Sequence, residues 1–201
     1  FIPYLQHQIS WSMQTQQAVQ HIYPKFAFVT RLQSRMAIGN TSANQLFWSS
    51  QLYLPGVGRN HSLVLGFNYQ MRDTMRQYSF SNGFAMARGY EAIDYPRMWR
   101  TSFNYHMPLL YPDLGIGNIV YFLRVRSNFF YDDMHLKSLR TGKVINFRSA
   151  GTEIYFDTKW WNQQSVTFGL RYSRLFDTKL FVKPPNPNRW EFIMPINLLS
   201  N

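Results

Sequence analysis

The side chains that could do chemistry in this sequence are scattered rather than grouped. The five histidines are His7, His21, His61, His106 and His135. None stands in a His-Glu-x-x-His pattern, and no Gly-x-Ser-x-Gly elbow or phosphate-binding loop is present. The adjacent carboxylates Asp132 and Asp133 would point to opposite faces of a strand, so they cannot share acid–base work. The sequence therefore predicts no enzyme, no metal site and no cofactor.

The composition excludes several classes of protein. No stretch of about 18 apolar residues exists, which excludes a helical membrane protein. Aromatic residues make up 18% of the chain, far too many for a disordered segment. Cysteine is absent, so neither disulfides nor thiolate metal sites can form. The net charge of +11 is compatible with nucleic acid, anionic lipid or a cavity that attracts anions.

The dominant hydrophobic period along the chain is two, which indicates β-strands. In residues 119–132, for example, Tyr121, Val125 and Phe129 alternate with Arg124 and Asn128. Basic and aromatic residues thus lie on opposite faces, whereas a nucleic-acid-binding sheet carries both on one face, so we expect no nucleic-acid partner. We predict nine strands, at about 6–16, 25–37, 45–54, 62–72, 98–109, 117–132, 145–158, 165–176 and 189–199.

Two architectures fit alternating strands: a soluble sandwich and a transmembrane barrel. Strands of ten or more residues exceed the soluble mode of about 5–6 and match the ~9–11 that cross a bilayer. Turns near 55–60, 110–117 and 159–164 are short, while segments 73–97, 133–144 and 177–188 are longer. This alternation favours an outer-membrane barrel. Nine strands would leave an open edge in lipid, so we expect further strands before Phe1.

The segment Ala87-Arg88-Gly89-Tyr90 resembles the Arg-Gly-Phe/Tyr motif in the sixth extracellular loop of the outer-membrane insertase superfamily, the BamA-type surface-antigen barrels. The family usually has Val or Ile where this chain has Ala87. Three later segments resemble the family's next strands: Thr101–Tyr105 followed by Pro108, Arg124–Asp132, and Phe147–Gly151. Five strands follow the loop in the family, as they do in our prediction.

The resemblance implies an all-β fold, namely a transmembrane antiparallel β-barrel of about 16 strands. Residues 1–201 would be the C-terminal part of that single barrel domain, with periplasmic POTRA domains upstream. It implies assembly and insertion of other β-barrel proteins in the outer membrane of a Gram-negative bacterium. The implied partners are outer-membrane lipids, unfolded barrel clients and accessory periplasmic lipoproteins. No cofactor is implied.

In the family the loop folds back into the lumen, and its arginine meets acidic residues of the barrel wall. The resemblance thus makes Arg88, Gly89 and Tyr90 the lumen-loop motif. Asp132 matches the wall aspartate, whereas Asn104 stands where relatives often have an acidic residue, and Glu153 could compensate. A guanidinium in a partly dehydrated lumen needs a carboxylate fork, so we predict that Arg88 pairs with Asp132 and with Glu153.

In the family, the last strand closes the barrel against the first, at a seam that opens sideways to lipid, and the resemblance implies the same for the last strand here. The seam residues are Trp190, Glu191, Phe192 and Pro195. Pro195 cannot donate to a ladder and would weaken this seam, whereas the family more often uses a glycine kink. Two other functions stay open: a passive pore or secretion transporter with the same barrel, which would favour anions, and a soluble lectin-like sandwich.

Overall fold

The computed structural model describes residues 3–18, 21–38, 43–73, 80–117, 119–138, 142–161, 163–180 and 185–194. These residues form one antiparallel sheet of ten strands. One 3-10 turn, at Thr178–Leu180, accompanies the sheet. Within the described ranges, no helix is long and apolar enough to cross a membrane. The prediction of an all-β fold is confirmed.

The strands follow one another as hairpins, so each main strand pairs with its neighbours in the sequence. Their bounds are β1 Tyr4–Gln14, β2 Ala27–Ala37, β3 Asn44–Pro55, β4 Ser62–Arg72, β5 Arg97–Leu110, β6 Leu114–Ile116, β7 Val120–Lys137, β8 Val144–Trp160, β9 Gln164–Leu175 and β10 Asn188–Ile193. The order across the sheet is β1-β2-β3-β4-β5-β7-β8-β9-β10, and β6 pairs with β7 beside this path. Among the described residues, the sheet is open at β1 and at β10.

Three details of the predicted layout are wrong. The short β6 lies inside the predicted turn 110–117 and makes a tenth strand. The segment 133–144 is not a long loop, because β7 runs to Lys137 and β8 begins at Val144, which leaves only 138–143 as the connection. The connection 15–26 between β1 and β2 is long, although it lies at the end of the sheet where the other turns are short. Connection lengths therefore alternate less regularly than predicted.

One face of the sheet, called here the polar face, carries Asn104, Asn128, Asp132 and Glu153. Residues 80–96, which are part of the connection between β4 and β5, fold over this face and are called the docked loop. Apolar side chains of the loop and of the strands beneath it form the buried core: Phe84, Ala87, Tyr90, Met98, Met134, Leu136, Phe147 and Leu175. The core thus lies between the docked loop and the polar face, where the extended ends of β7 and β8 support it.

The opposite face, called the apolar face, is uncovered. Leu65, Phe103 and Tyr131 are direct neighbours in register across β4, β5 and β7. Their exposed fractions are 36%, 45% and 41%. Phe129, Ile154 and Leu170 continue this surface and are also exposed. A contiguous apolar surface of this kind is rare on soluble monomers and marks contact with a membrane or another protein.

Candidate functional site

Arg88, near the tip of the docked loop, binds Asp132 on β7 with three hydrogen bonds. Its backbone amide and its Nε donate to Asp132 Oδ2 at 3.0 and 2.8 Å, and its Nη2 donates to Oδ1 at 2.9 Å. The Asp132 side chain is fully buried, and that of Arg88 is 15% exposed. A bidentate guanidinium–carboxylate fork with so little exposure is among the stronger polar contacts in proteins. It fixes the loop to the sheet.

Three further side chains complete the setting of the guanidinium. Nη2 donates to Asn104 Oδ1 at 2.7 Å, and Nη1 lies 3.4 Å from Glu153 Oε2. The guanidinium carbon lies 3.7 Å from the centre of the Phe130 ring, close enough for a cation–π contact. The structure therefore brings together Arg88, Asp132, Glu153 and Asn104, the residues that the sequence analysis placed in one site.

The wall residues converge because their strands are neighbours in register. Asn128 lies opposite Glu153, and Asn104 lies opposite Phe130. The Nδ2 of Asn128 donates to Glu153 Oε2 at 2.6 Å and to Asn104 Oδ1 at 3.2 Å, so it ties the two acceptors together. We call Arg88, Asn104, Asn128, Asp132 and Glu153 the loop cluster.

The contributions of Asn128 and Phe130 were not predicted from the sequence. The signal for Phe130 was present, because it is an aromatic residue that shares the strand parity of two polar neighbours on β7.

Gly89 is required by both its backbone and its surroundings. Its φ is +85°, a conformation that residues with a Cβ rarely adopt. A Cβ at this position would lie 2.8 Å from Leu175 Cδ2 and 3.1 Å from Ser173 Cβ. The glycine thus allows the loop tip to approach β9 closely.

Tyr90 anchors the loop on the other side of Gly89. Its hydroxyl donates to the carbonyl of Arg148 at 2.9 Å and accepts from the amide of Asp177 at 3.1 Å. Its ring packs edge-on against Phe147, with 5.1 Å between the ring centres. Burial raises the pKa of Tyr90, so the hydroxyl stays protonated and able to donate.

Asp177 joins this anchor to the next connection of the chain. Its carboxylate accepts from Nε and Nη2 of Arg148 at 3.1 and 2.9 Å, and from the Arg148 amide at 2.8 Å. Burial alone would raise the pKa of Asp177, but these hydrogen bonds and the charge of Arg148 outweigh it and hold the pKa below its usual value.

A chain of ion pairs leads from the loop cluster to β10. Arg171 on β9 donates from Nε to Glu153 Oε1 at 2.6 Å and from Nη1 to Glu191 Oε2 at 3.1 Å. Independently, Arg189 Nη1 donates to the carbonyl of Gly89 at 2.6 Å. The docked loop and β10 are therefore connected twice, through side chains and through the loop backbone. These contacts of Arg171 and Arg189 were not predicted from the sequence.

The proposed seam residues fall on both faces of β10. Glu191 points to the polar face, where it meets Arg171. Trp190 and Phe192 lie on the apolar face and are 73% and 67% exposed. In the part of the chain that the structure describes, β10 pairs with β9 over six residues and with no other strand. Pro195 lies outside the described residues.

A second arginine site, called here the strand cluster, lies elsewhere on the polar face. Its members are Arg124, Arg126, Tyr155, Asp157 and Thr167. Nε and Nη2 of Arg124 donate to Asp157 Oδ2 at 2.9 and 2.8 Å, and Nε of Arg126 donates to the same oxygen at 3.1 Å. Thr167 donates to Asp157 Oδ1 at 3.0 Å. The guanidinium of Arg126 lies over the Tyr155 ring at 4.3 Å.

The loop cluster and the strand cluster hold segments of the chain against one another. Within the described ranges, no group of three or more His, Asp or Glu side chains could hold a metal ion. Comparisons of this chain with family models, curated proteins and solved structures find no match. The functional argument therefore rests on the sheet, its two faces and the docked loop.

Proposed function

We propose that this chain is part of a transmembrane β-barrel in a bacterial outer membrane, and that the barrel folds and inserts other β-barrel proteins. The polar face would line the lumen and the apolar face would meet lipid. Further strands would close the sheet between β1 and β10, since open edges are not viable in lipid.

The two faces support the membrane part of the proposal. Eight of the nine main strands have 11 or more residues, enough to cross a bilayer with a tilt. Exposed aromatic and aliphatic side chains cover the apolar face, while ion pairs and amides lie on the polar face. That distribution is the one expected of a barrel with a polar interior and a lipid-facing exterior.

The observation that carries the functional part is the docked loop, held by the Arg88–Asp132 fork and connected to β10 through Arg171 and Arg189. An insertase must offer backbone groups to a client strand without losing its own fold. When the weak seam between β10 and the strand that closes the barrel opens, the edge of β10 that faces away from β9 could accept such a strand by β-augmentation. The connection to the loop would hold β10 in place during this step.

Depletion of the protein in its native bacterium tests the function. We expect other outer-membrane barrels to lose folded protein on depletion, and wild-type protein to restore them. Arg88→Ala should restore them poorly. The matched control is Arg59→Ala, which removes an exposed arginine in the turn between β3 and β4. If the other barrels assemble normally without this protein, the insertase function is wrong.

The second candidate, a pore or secretion transporter, rests on the net charge of +11. An anion-selective pore needs unneutralised cations along its lumen. Arg88, Arg124, Arg126 and Arg171 on the polar face are each paired with a carboxylate. This pairing favours the insertase at these four positions only, because Arg31, Arg35 and Arg100 lie on the same face and form no ion pair with a carboxylate of the described residues. Single-channel recording discriminates the two, since a large, stable, anion-selective conductance would support the pore and small flickering currents the insertase.

A further inference from the structure

The apolar face contains a furrow between β8, β9 and β10. Its volume is about 270 Å³, and it is lined by Thr152, Ile154, Leu170, Tyr172 and Trp190. The register of the strands explains why a furrow forms here. Phe129, Thr152, Tyr172 and Trp190 form one row across four strands, and threonine is the short side chain in that aromatic row. Tyr172 and Trp190 pack against each other, with 5.0 Å between their ring centres, and together form an aromatic wall on one side of the gap above Thr152.

A cationic group lies at one end of the furrow. The next row toward the C-terminal end of β9 contains Arg174, opposite Asn188 on β10. Arg174 Nη1 and the Tyr172 hydroxyl both donate to Asn188 Oδ1, each at 2.9 Å. Because Tyr172 also lines the furrow, this shared acceptor places the Arg174 guanidinium beside the furrow's end.

The Arg174 side chain is exposed and keeps its charge unneutralised. Among the residues that the structure describes, no carboxylate lies within ion-pair distance of it. Arg148 provides the contrast, since it lies at the same end of β8 and is held by Asp177 at 2.9 Å. An apolar furrow with a free guanidinium at one end is complementary to an amphiphile with an anionic head.

We infer that this furrow binds one membrane lipid that carries an anionic phosphate headgroup. An acyl chain would lie over Thr152, between Ile154 and Leu170 and the aromatic wall formed by Tyr172 and Trp190. The phosphate oxygens would accept hydrogen bonds from Arg174, whose planar fork matches phosphate geometry. The inference rests on the proposed function in one respect, namely that the apolar face lies in lipid.

Native mass spectrometry of the purified full-length protein in detergent tests the site, with added phosphatidylglycerol or phosphatidylcholine as the probe. We expect wild type to retain one phosphatidylglycerol with about tenfold preference over phosphatidylcholine, since hydrogen bonds to a charged group are worth about that factor or more. Arg174→Gln should reduce the preference to about twofold or less. Thr152→Trp should fill the furrow and remove retention of both lipids.

Arg97→Gln is the matched control, because Arg97 is an arginine on the same face at the same end of the sheet, but on β5. It should retain the wild-type preference. If Arg174→Gln keeps the full preference, or if Thr152→Trp retains lipid as wild type does, the inference is overturned.

A second measurement separates this site from the membrane proposal. The chain contains no cysteine, so a fluorophore on Leu65→Cys reports on the apolar face far from the furrow. In vesicles of both lipids, a quencher attached to acyl chains should quench it. If the fluorophore is quenched but Arg174→Gln keeps the wild-type preference for phosphatidylglycerol, the lipid site alone is overturned. Absence of quenching would overturn the membrane location and the lipid site together.

Discussion

The loop cluster and the strand cluster both lie on the polar face, and they differ in what they connect. Arg88 and Asp132 join a loop to a strand that it does not pair with, over a separation of 44 residues. Arg124 lies directly opposite Asp157 in the β7–β8 ladder, so backbone hydrogen bonds already hold the two together. An arginine–carboxylate ion pair thus fixes the tertiary structure in the loop cluster, whereas in the strand cluster it adds to strand pairing that the backbone already provides.

The largest effect is expected when the loop cluster loses its cation. In Arg88→Ala, the buried Asp132 loses both guanidinium hydrogen bonds and keeps the one from the backbone amide of residue 88. We expect a loss of about 2–4 kcal/mol, between the values for exposed and fully buried pairs. Urea unfolding in lipid vesicles measures it, and limited proteolysis of residues 80–96 reports the released loop. Arg88→Lys should recover only part of the loss, because lysine lacks the planar fork.

The next largest loss of stability is expected from a substitution at the tip of the docked loop. Gly89→Ala should destabilise the protein by about 1–3 kcal/mol, because it forces a side chain into a left-handed backbone conformation and against Leu175 and Ser173. Gly83→Ala, in the same loop, is a control, since a Cβ there would meet nothing within 4 Å. Equal unfolding free energies for the two variants would contradict the role assigned to the loop tip.

A smaller effect is expected in the strand cluster. In Arg126→Gln, Asp157 keeps two hydrogen bonds from Arg124 and one from Thr167. We expect a loss of about 1 kcal/mol, which combines one ion pair and one cation–π contact. The same urea titration measures it. A loss as large as that of Arg88→Ala would remove the distinction between the two clusters.

The smallest loss of stability is expected at low pH, where Asp177 is protonated and the anchor of Tyr90 weakens. Since the pKa of Asp177 is held below its usual value, its contribution to stability is present above that usual value, near pH 4. It is lost as the pH falls through the lowered pKa. Below that pKa, the protection factor of the Arg148 amide in hydrogen exchange should therefore fall from its value at neutral pH, because this amide donates to the Asp177 carboxylate. Asp177→Asn should show no such pH-dependent step.

The sheet was predictable because its signal is local. A period of two located all nine main strands, and the two faces followed from it. The continuation of β7 over Asp133–Lys137 was missed because the alternation inverts there. The apolar residues Met134 and Leu136 share the parity of Asp132 on the polar face, where the docked loop buries them. The three-residue β6 is too short to show a period.

The loop cluster was predictable only in part. Spacing alone says nothing about which strands a loop covers, and the resemblance supplied Arg88, Asp132, Glu153 and Asn104. Arg171 and Arg189 were missed because their partners, Glu153 and Gly89, lie 18 and 100 residues away in the chain. Only the folded sheet brings them together.

The hairpin order of the sheet has a consequence for how the protein folds. Each main strand pairs with the strand before it, so the ladders can form one after another at small entropic cost. The docked loop, by contrast, needs β5, β7, β8, β9 and β10 in place before all its partners exist. We therefore expect loop docking to be the last folding step, so that it reports that all of these strands are already paired.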